Sequence, residues 1–327
     1  MDWLGELKEE ISTSIHEALA GIVEKALSSG QELLKAGMDG NMAGGNGLFA
    51  NFLTKHPSEF DATLSGTQAG TLWGSMRSLS ESAVVPIAGL IMATVMIYDL
   101  LQMVVDQNNF REVDISILFR WCFKVLCGVL LVSHMFDMAS GFLAFGSYAT
   151  NQAISTVFEL DGTYLSSVAD FHIDATGMTV AELLLDIILS GFLLVIIGAM
   201  LVIVIIVLTS RMIEVFMFLT ASPITVATML NRDWGEIGKN WIRNMVALGF
   251  QSFFIVIALS IFQTIFSAVL SNIAGGSAET PVPGAPPAPA ATPNLTLNLI
   301  LLMGYALALS FTILKSGQIS KSVFNAH

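Results

Sequence analysis

Six charged residues stand inside or at the edges of long apolar stretches: Asp99, Arg120, Lys124, Asp186, Arg211 and Glu214. Ionisable groups placed in this way usually face a protein interior or a water-filled path, and they are candidates for a functional site. Arg211 and Glu214 are three residues apart, so a helix places them on one face where they could form an ion pair. Asp99 could pair with Arg120 or Lys124 across a short connection.

The same charges also allow a structural interpretation. Arg120 and Lys124 lie near one end of their apolar stretch, where long side chains extend to the membrane interface. Asp186 is only one turn into its stretch, so we expect it at the interface. Charges of this kind can also lock neighbouring helices together without binding any ligand.

The chain has no motif that indicates catalysis. A phosphate loop of the form GxxxxGK[ST], a CxxC, an HExxH and a GxSxG are all missing from the sequence. The five histidines share no ligand spacing, and the net charge of −12 argues against a protein that binds nucleic acid by itself. We therefore expect no enzyme, no metal and no cofactor, and any transport would need a separate source of energy.

The elements that must position the charged residues are membrane-spanning helices. Of the residues, 54% are hydrophobic and 12% are charged, about half the charged fraction of a soluble domain. The apolar residues form unbroken blocks of about 20 residues, the length of a helix that crosses a bilayer, and do not alternate as barrel strands do. The sequence predicts an all-α polytopic membrane bundle over 82–320, with spans at about 83–105, 115–136, 183–209, 244–270 and 297–314.

Two further stretches have an ambiguous pattern. Residues 212–230 are apolar but contain Pro223, and we expect a re-entrant or half-buried helix that is broken there. Residues 138–158 carry no charge but many polar side chains, which favours a surface or pore-side helix. With these assignments the outer loops are 137–182 and 271–296.

The first 81 residues hold eleven acidic and five basic residues. Apolar residues recur there at steps of three or four, which predicts an amphipathic helix outside the membrane, packed on neighbouring subunits or on the membrane surface. Small residues within the spans would allow close helix approach between subunits. The predicted oligomer contacts are Leu7, Ile11, Ile15, Ile22, Gly191, Gly198 and Gly249.

The placement of Lys and Arg predicts the orientation of the chain. The connection between the third and fourth spans contains Arg211, Arg232, Lys239 and Arg243, whereas residues 137–182 contain six acidic residues and no Lys or Arg. We expect the N-terminus outside the cytoplasmic membrane, five crossings, and a cytoplasmic tail at 321–327.

The block Thr209–Phe262 resembles the signature region of TrbL-like conjugal transfer proteins, the polytopic inner-membrane subunits of type IV secretion systems. The likeness is closest to the version in conjugative elements of Gram-positive bacteria, and the layout extends it to about 83–320. The residues that carry it are Arg211 with Glu214, Ala221-Ser222-Pro223, Asn231-Arg232, Trp234-Gly235, Gly238 through Trp241, and Gly249-Phe250-Gln251. Candidate conduit residues are Arg211, Glu214, Pro223, Arg232, Trp234, Gly235, Lys239, Arg243, Asp99, Arg120 and Lys124.

The resemblance implies a channel or scaffold subunit that helps pass single-stranded DNA with its bound protein, or a protein substrate, through the membrane. Its partners would be copies of itself, other type IV secretion subunits and separate ATPases, with the DNA–protein complex bound only transiently. The basic residues between the third and fourth spans could meet phosphates, or could be ordinary cytoplasmic positive charge. The alternatives are a small-solute or ion transporter, which the lack of an internal repeat disfavours, and a non-conducting assembly scaffold.

Overall fold

A computed structural model of the chain describes residues 3–38, 53, 55–59, 71–106, 115–161, 179–273 and 295–326. These residues form helices and turns and contain no strand, which confirms the all-α prediction. The helices are α1 (Trp3–Met38), α2 (Thr71–Leu79), α3 (Val85–Asp106), α4 (Ile115–Asp161), α5 (Val180–Met229), α6 (Gly235–Ile273) and α7 (Leu295–Val323). A π-helical turn, Ser80–Val84, joins α2 to α3, and Pro57–Glu59 forms a 3-10 turn.

Within the described ranges, five helical stretches are long and apolar enough to cross a membrane. They are Leu72–Val105, Leu118–Thr156, Val180–Met229, Gly235–Leu270 and Leu295–Val323, and each overlaps one of the five predicted spans. Their outward surfaces are also apolar: Leu90 is 73% exposed, Phe119 73% and Val195 69%. Since water disfavours apolar surface of this extent, the chain is a multi-pass membrane protein.

Helix α4 is longer than the second predicted span. It continues past residue 136 to Asp161, so residues 138–158 are helical but do not form a separate helix. The predicted helix at 138–158 is confirmed, but it continues the second span. The placement of 137–182 outside the membrane stays a prediction, and its residues 162–178 lie outside the described residues. The polar side chains that suggested a boundary are satisfied within the helix: Ser140 Oγ donates to the carbonyl of Asp137, and Thr150 Oγ1 donates to that of Gly146.

The predicted break at Pro223 is also wrong, because α5 runs without interruption through this residue. Proline removes the hydrogen bond to the carbonyl four residues earlier, which is that of Leu219. Ser222 Oγ donates to this carbonyl at 2.7 Å, and Ser80 Oγ donates to the next one, that of Thr220, at 3.2 Å. The two hydroxyls satisfy the carbonyls beside the proline, so residues 212–230 extend α5 and do not form a separate broken helix.

The chain comprises two compact units. The first unit is formed by Met1–Ala50, Ala153–Ile206 and Val256–Leu314. Here α1 confirms the predicted amphipathic helix, and it buries one stripe of side chains that includes Val23 and Leu27. A Cβ added to Gly30 would lie 3.1 Å from Ile197 Cδ1, so α1 packs on the apolar run of α5 in the same chain. This intrachain contact was not predicted.

The predicted oligomer contacts of the first unit are open within the chain. Ile11, Ile15 and Ile22 of α1 are exposed, and no described atom lies within 4 Å of a Cβ added to Gly191 or Gly198. The prediction for Leu7 falls on a side chain outside the described set. Among the residues that the structure describes, these positions therefore leave surface open to a neighbouring subunit.

The second unit is formed by Asn51–Gln152, Val207–Ile255 and Lys315–His327. Its helices α4 and α6 meet at two glycines, where a Cβ added to Gly146 would lie 2.5 Å from the carbonyl carbon and oxygen of Gly249. Gly249 is therefore used inside the chain, and its prediction as an oligomer contact is wrong. Beside this crossing lies a cluster of buried side chains from α4, α5 and α6: Met135, Phe136, Ala139, Leu143, Val215, Leu219, Val226, Trp241, Met245 and Leu248.

Candidate functional site

An ion pair joins α3 to α4 in the second unit. Lys124 Nζ lies 2.7 Å from Asp99 Oδ2, and Asp99 is buried while the Lys124 side chain is 30% exposed. One turn earlier on α4, Trp121 Nε1 donates to the carbonyl of Met96 at 3.0 Å. Of the two predicted partners of Asp99, Lys124 is the one observed, and Arg120 is exposed. The pair holds two adjacent helices together and leaves the Asp99 charge compensated.

Arg211 is buried and bonds to α6 across the second unit. Its Nε donates to the carbonyl of Leu248 at 3.0 Å. The predicted ion pair with Glu214 is not formed, and no carboxylate of the described residues lies within 4.0 Å of Arg211. The spacing of three residues does place both on one side of α5, but the guanidinium extends to the neighbouring helix.

The connection between α5 and α6 is fixed by a buried asparagine. Asn231 Oδ1 accepts from the backbone N–H of Asp233 at 2.7 Å and from that of Trp234 at 3.4 Å, directly before α6 begins. An asparagine at this position satisfies the free N–H groups of a helix start. The two hydrogen bonds to the Asn231 side chain thus fix the conformation of the connection.

Two side chains attach this connection to the end of α3. The ring of Trp234 stacks on that of Tyr98, with centroids 6.3 Å apart and an interplanar angle of 22°. Gln102 Nε2 donates to Asp233 Oδ2 at 2.6 Å. The predicted site residue Trp234 therefore has a packing role here.

Two glycines at the start of α6 allow this helix to approach α5 closely. A Cβ added to Gly238 would lie 2.7 Å from Met229 Cβ and 2.8 Å from the carbonyl oxygen of Thr225. A Cβ added to Gly235 would lie 3.2 Å from the carbonyl oxygen of Met229. The glycines that carried the resemblance thus permit a close helix pair, which side chains would force apart.

The charged side chains beside this connection are exposed. Arg232, Lys239 and Arg243 all face outward, and Lys239 Nζ lies 2.9 Å from Glu236 Oε1. Arg232 and Arg243 form no ion pair with the carboxylates that the structure describes. We name Arg232, Lys239 and Arg243 the basic group. It carries two cations that are available to an anion.

Helix α7 adds two polar contacts that the sequence reasoning missed. Gln251 Nε2 donates to Ser316 Oγ at 3.3 Å, and Ser320 Oγ donates to the carbonyl of Ala247. Ser316 and Ser320 are four residues apart, so they share one face of the helix. The four-residue spacing of the two serines could have indicated, from the sequence, a polar face of α7 that packs on another helix.

A second residue that the sequence reasoning undervalued lies in the first unit. The sequence did not predict that Asp186 is enclosed by protein: its side chain is 0% exposed, while its place at the membrane interface stays a prediction. Oδ1 accepts from Thr296 Oγ1 at 2.6 Å, and Oδ2 has no hydrogen-bond partner among the residues that the structure describes. The helix that carries it begins with a reciprocal cap, in which Thr179 N–H donates to Glu182 Oε2 and Glu182 N–H donates to Thr179 Oγ1.

The chemistry available in these contacts is helix locking and anion attraction. Among the residues described, no group of three His, Cys, Asp or Glu is arranged to hold a metal ion. The buried polar residues of the second unit mostly bond to other protein groups. Its exposed charged residues include both the cations of the basic group and carboxylates such as Asp137 and Glu236.

A family model described as "TrbL/VirB6 plasmid conjugal transfer like protein" matches residues 50–223, which is more than half of the 327 residues. This range contains Asp99, Lys124, Arg211, Glu214 and Pro223. Of the block that carried the resemblance, only its start lies inside the matched range, and the connection to α6 lies beyond it. No curated protein and no solved structure matches the chain. The chain belongs to the TrbL/VirB6 family of plasmid conjugal transfer proteins.

Proposed function

We propose that the chain is a channel subunit of a conjugative type IV secretion system. In this role it helps pass single-stranded DNA with its bound protein, or a protein substrate, across the cytoplasmic membrane. The family gives the coarser assignment, a component of conjugal transfer. The observation that supports the channel role is the basic group. Its residues Arg232 and Arg243 are exposed and lie beside the connection between α5 and α6, which Asn231 holds in place.

The charge distribution supports an orientation for this subunit. The basic group belongs on the cytoplasmic side, since connections rich in Lys and Arg are retained there. With five spans, the N-terminus then lies outside and the C-terminus inside. An incoming DNA strand would meet Arg232 and Arg243 first, where cations attract phosphates and release their counterions.

Packing inside the chain supports assembly of several copies. Asp99, Arg211 and Gln251 all bond to groups of the same chain, so these side chains are used to hold helices together. Because these polar groups bond within the chain, few remain to line a path inside one copy. We therefore propose that several copies together surround the transferred strand. The exposed residues Ile11, Ile15 and Ile22, together with the open Gly191 and Gly198, are the proposed contacts between them.

The same observations also favour a second candidate function, a non-conducting assembly scaffold. A scaffold needs helix locks and docking surfaces but no contact with the transferred strand. The two functions therefore differ in whether the basic group touches DNA during transfer. They share the same partners, namely other type IV secretion subunits and the ATPases that supply energy.

Cross-linking of the transferred strand during mating separates these functions. Donor cells carry the wild-type chain, the double variant Arg232→Glu with Arg243→Glu, or the charge-preserving double variant Arg232→Lys with Arg243→Lys. We expect the wild type and the Lys variant to cross-link to the strand. The Glu variant should lose the signal by on the order of tenfold, since phosphate contacts are electrostatic.

Three other outcomes are informative: the first removes only the role of the basic group, and the other two contradict the channel proposal. Equal cross-linking by all three chains would remove the role of the basic group. Absence of any cross-link to the wild type, with the secretion complex assembled, would favour the scaffold. Normal conjugation after deletion of the chain, together with a loss of solute uptake, would favour the transporter.

Accessibility of single cysteines tests the orientation. In a chain with Cys122 and Cys127 replaced by Ala, we expect cysteines at Asp170 and Gly284 to react with an impermeant maleimide on whole cells. Cysteines at Glu236 and Val323, which are both exposed on the protein, should react only after the membrane is opened. Reaction at Glu236 in intact cells would reverse the proposed side of the basic group.

A further inference from the structure

Asp186 is a buried carboxyl group with an unsatisfied oxygen. Its side chain is 0% exposed, and its two oxygens together receive one hydrogen bond, from Thr296 Oγ1 to Oδ1. Within the described part of the chain, Oδ2 has no hydrogen-bond partner. An ionised carboxylate offers about four lone-pair sites to donors, so one hydroxyl leaves most of them empty. The geometry is a poor fit for a negative charge.

Among the described side chains of the first unit, none on α5, α6 or α7 is a cation that could compensate a negative charge. The parts of α5, α6 and α7 that belong to the first unit contain no Lys, Arg or His. In this unit the described basic side chains are on α1, where Lys25 is exposed and His16 bonds to the carbonyl of Ser12 in its own helix. An isolated carboxylate in such an apolar site is strongly disfavoured.

Other acidic groups near the site would oppose ionisation further. Glu182 lies one turn earlier on α5, where its carboxylate caps the helix start through Thr179. The described acidic side chains of α1 are exposed, except for Glu24, which is half-buried. The segment Val256–Ile273 has no titratable side chain, and Leu295–Leu314 has only Tyr305. None of these groups provides a positive charge.

We propose that Asp186 and Thr296 form a proton-binding site within the membrane-spanning part of the chain. The carboxyl group carries the proton on Oδ2 and accepts the Thr296 hydroxyl on Oδ1. Protonation removes the charge and turns the unsatisfied oxygen into an O–H donor. Carbonyls of the same helix are available to short polar side chains here, since Ser190 Oγ donates to that of Ile187 at 2.9 Å.

Proton binding at this position is coupled to the contact between α5 and α7. Loss of the proton would leave a charge beside Thr296 that the site cannot hydrate without moving the helices apart. In this proposal the folded chain holds a proton that the unfolded, hydrated carboxyl group would release. By linkage, this contribution to stability is present at low pH and is lost as the pH rises through the titration of the buried acid.

A lipid-soluble carbodiimide tests the proposal on the full chain in membranes. Dicyclohexylcarbodiimide reacts with a protonated carboxyl: the acid proton moves to a nitrogen of the reagent and the carboxyl oxygen bonds to its central carbon. Leu184, Leu185 and Ile188 on the same turns are exposed, so the reagent can approach from the lipid. We expect peptide mass spectrometry to find the adduct on Asp186. Each pH unit above the midpoint should lower the labelling rate about tenfold.

Asp99 is the matched control, because it is a buried carboxyl with a cation at 2.7 Å. Asp99 should not be labelled in the wild type and should become labelled in Lys124→Met. Asp186→Asn should abolish the adduct on residue 186. Labelling of Asp99 in Lys124→Met without labelling of Asp186 in the wild type would overturn the proposal. Protection of Asp186 by Na⁺ or Ca²⁺ at constant pH would also overturn it, since the site would then bind a metal cation.

Thermal unfolding followed by circular dichroism gives an independent test if the reagent reaches neither carboxyl. Asparagine resembles the protonated acid, so Asp186→Asn should unfold at the wild-type temperature at low pH and above it at high pH. A variant that is less stable at every pH, with an unchanged pH dependence, would show that Asp186 is ionised in the folded chain.

Discussion

Asp99 and Asp186 are both buried carboxyl groups on membrane-spanning helices, yet the two units surround them differently. Asp99 in the second unit faces Lys124, whereas Asp186 in the first unit faces the hydroxyl of Thr296. The difference follows from where the cations are. Of the fourteen Lys and Arg residues, only Lys8, Lys25 and Lys35 belong to the first unit, and all three lie on α1.

The contrast extends beyond the two carboxyls. Helices of the second unit are held by an ion pair, by side-chain bonds to carbonyls, and by the close approach of glycines. Helices of the first unit pack mainly through apolar side chains, which gain little from burial when the surrounding medium is lipid. Polar contacts therefore carry a larger share of helix association in the second unit.

The largest effect should come from making Asp99 resemble Asp186. Lys124→Met leaves the Asp99 carboxylate without a partner, and we expect a loss of about 3 kcal/mol in the free energy of unfolding, the low end for a buried pair. The double variant Asp99→Leu with Lys124→Leu should recover most of this loss. Denaturation in mild detergent measures both, and equal stability of the two variants would contradict the role of the pair.

A smaller effect should come from the glycine crossing of the second unit. In Gly146→Ala the added methyl meets the backbone of Gly249 at 2.5 Å, so we expect a destabilisation of about 1–3 kcal/mol. Gly198→Ala in the first unit is the matched control, because its Cβ would meet no described atom within 4 Å. The control should unfold as the wild type does, and it should change the mass of the assembly if Gly198 lies between subunits.

The hydroxyl beside Pro223 should contribute about 1 kcal/mol. Ser222→Ala removes the donor to the carbonyl of Leu219, which proline leaves without its helical partner. In a Pro223→Ala background the N–H of residue 223 can take this position, so the same substitution should cost much less. A double-mutant cycle measures the difference, and additive effects would mean that Ser222 does not compensate for the proline.

The smallest effect on stability is expected for Arg211. This residue has no carboxylate partner among the described residues, so Arg211→Met should change the free energy of unfolding by less than about 1 kcal/mol. A loss as large as that of Lys124→Met would reveal an ion pair that the chain forms only in its assembly. Conjugation frequency measured on the same variant separates a role in transfer from one in folding.

The spans could be predicted from the sequence because unbroken apolar blocks report directly on membrane crossing. The ion pair of Asp99 could also be predicted from the sequence, because a short connection brings the ends of α3 and α4 together. Amphipathic spacing gave α1 in the same way. In each case, residues close in the chain determine the structure.

The remaining features depend on residues far apart in the chain. The continuity of α5 at Pro223 involves Ser80, which lies 140 residues before the carbonyl it reaches. Gly249 was assigned to a subunit contact because its small size predicts a close neighbour but does not identify Gly146 as that neighbour. The hydrogen bond of Asp186 was not predicted because its partner, Thr296, lies 110 residues away on α7. Helix spacing predicts a face, and only the fold determines what packs against it.

Tryptophan positions give the two units different optical properties. Trp73, Trp121, Trp234 and Trp241 belong to the second unit, and only Trp3 belongs to the first. Trp73 packs edge-on against Phe136 with ring centroids 5.0 Å apart, and Trp241 is buried. Intrinsic fluorescence is therefore a selective reporter: an emission shift during denaturation follows the opening of the second unit, while loss of structure around Asp186 leaves the spectrum almost unchanged.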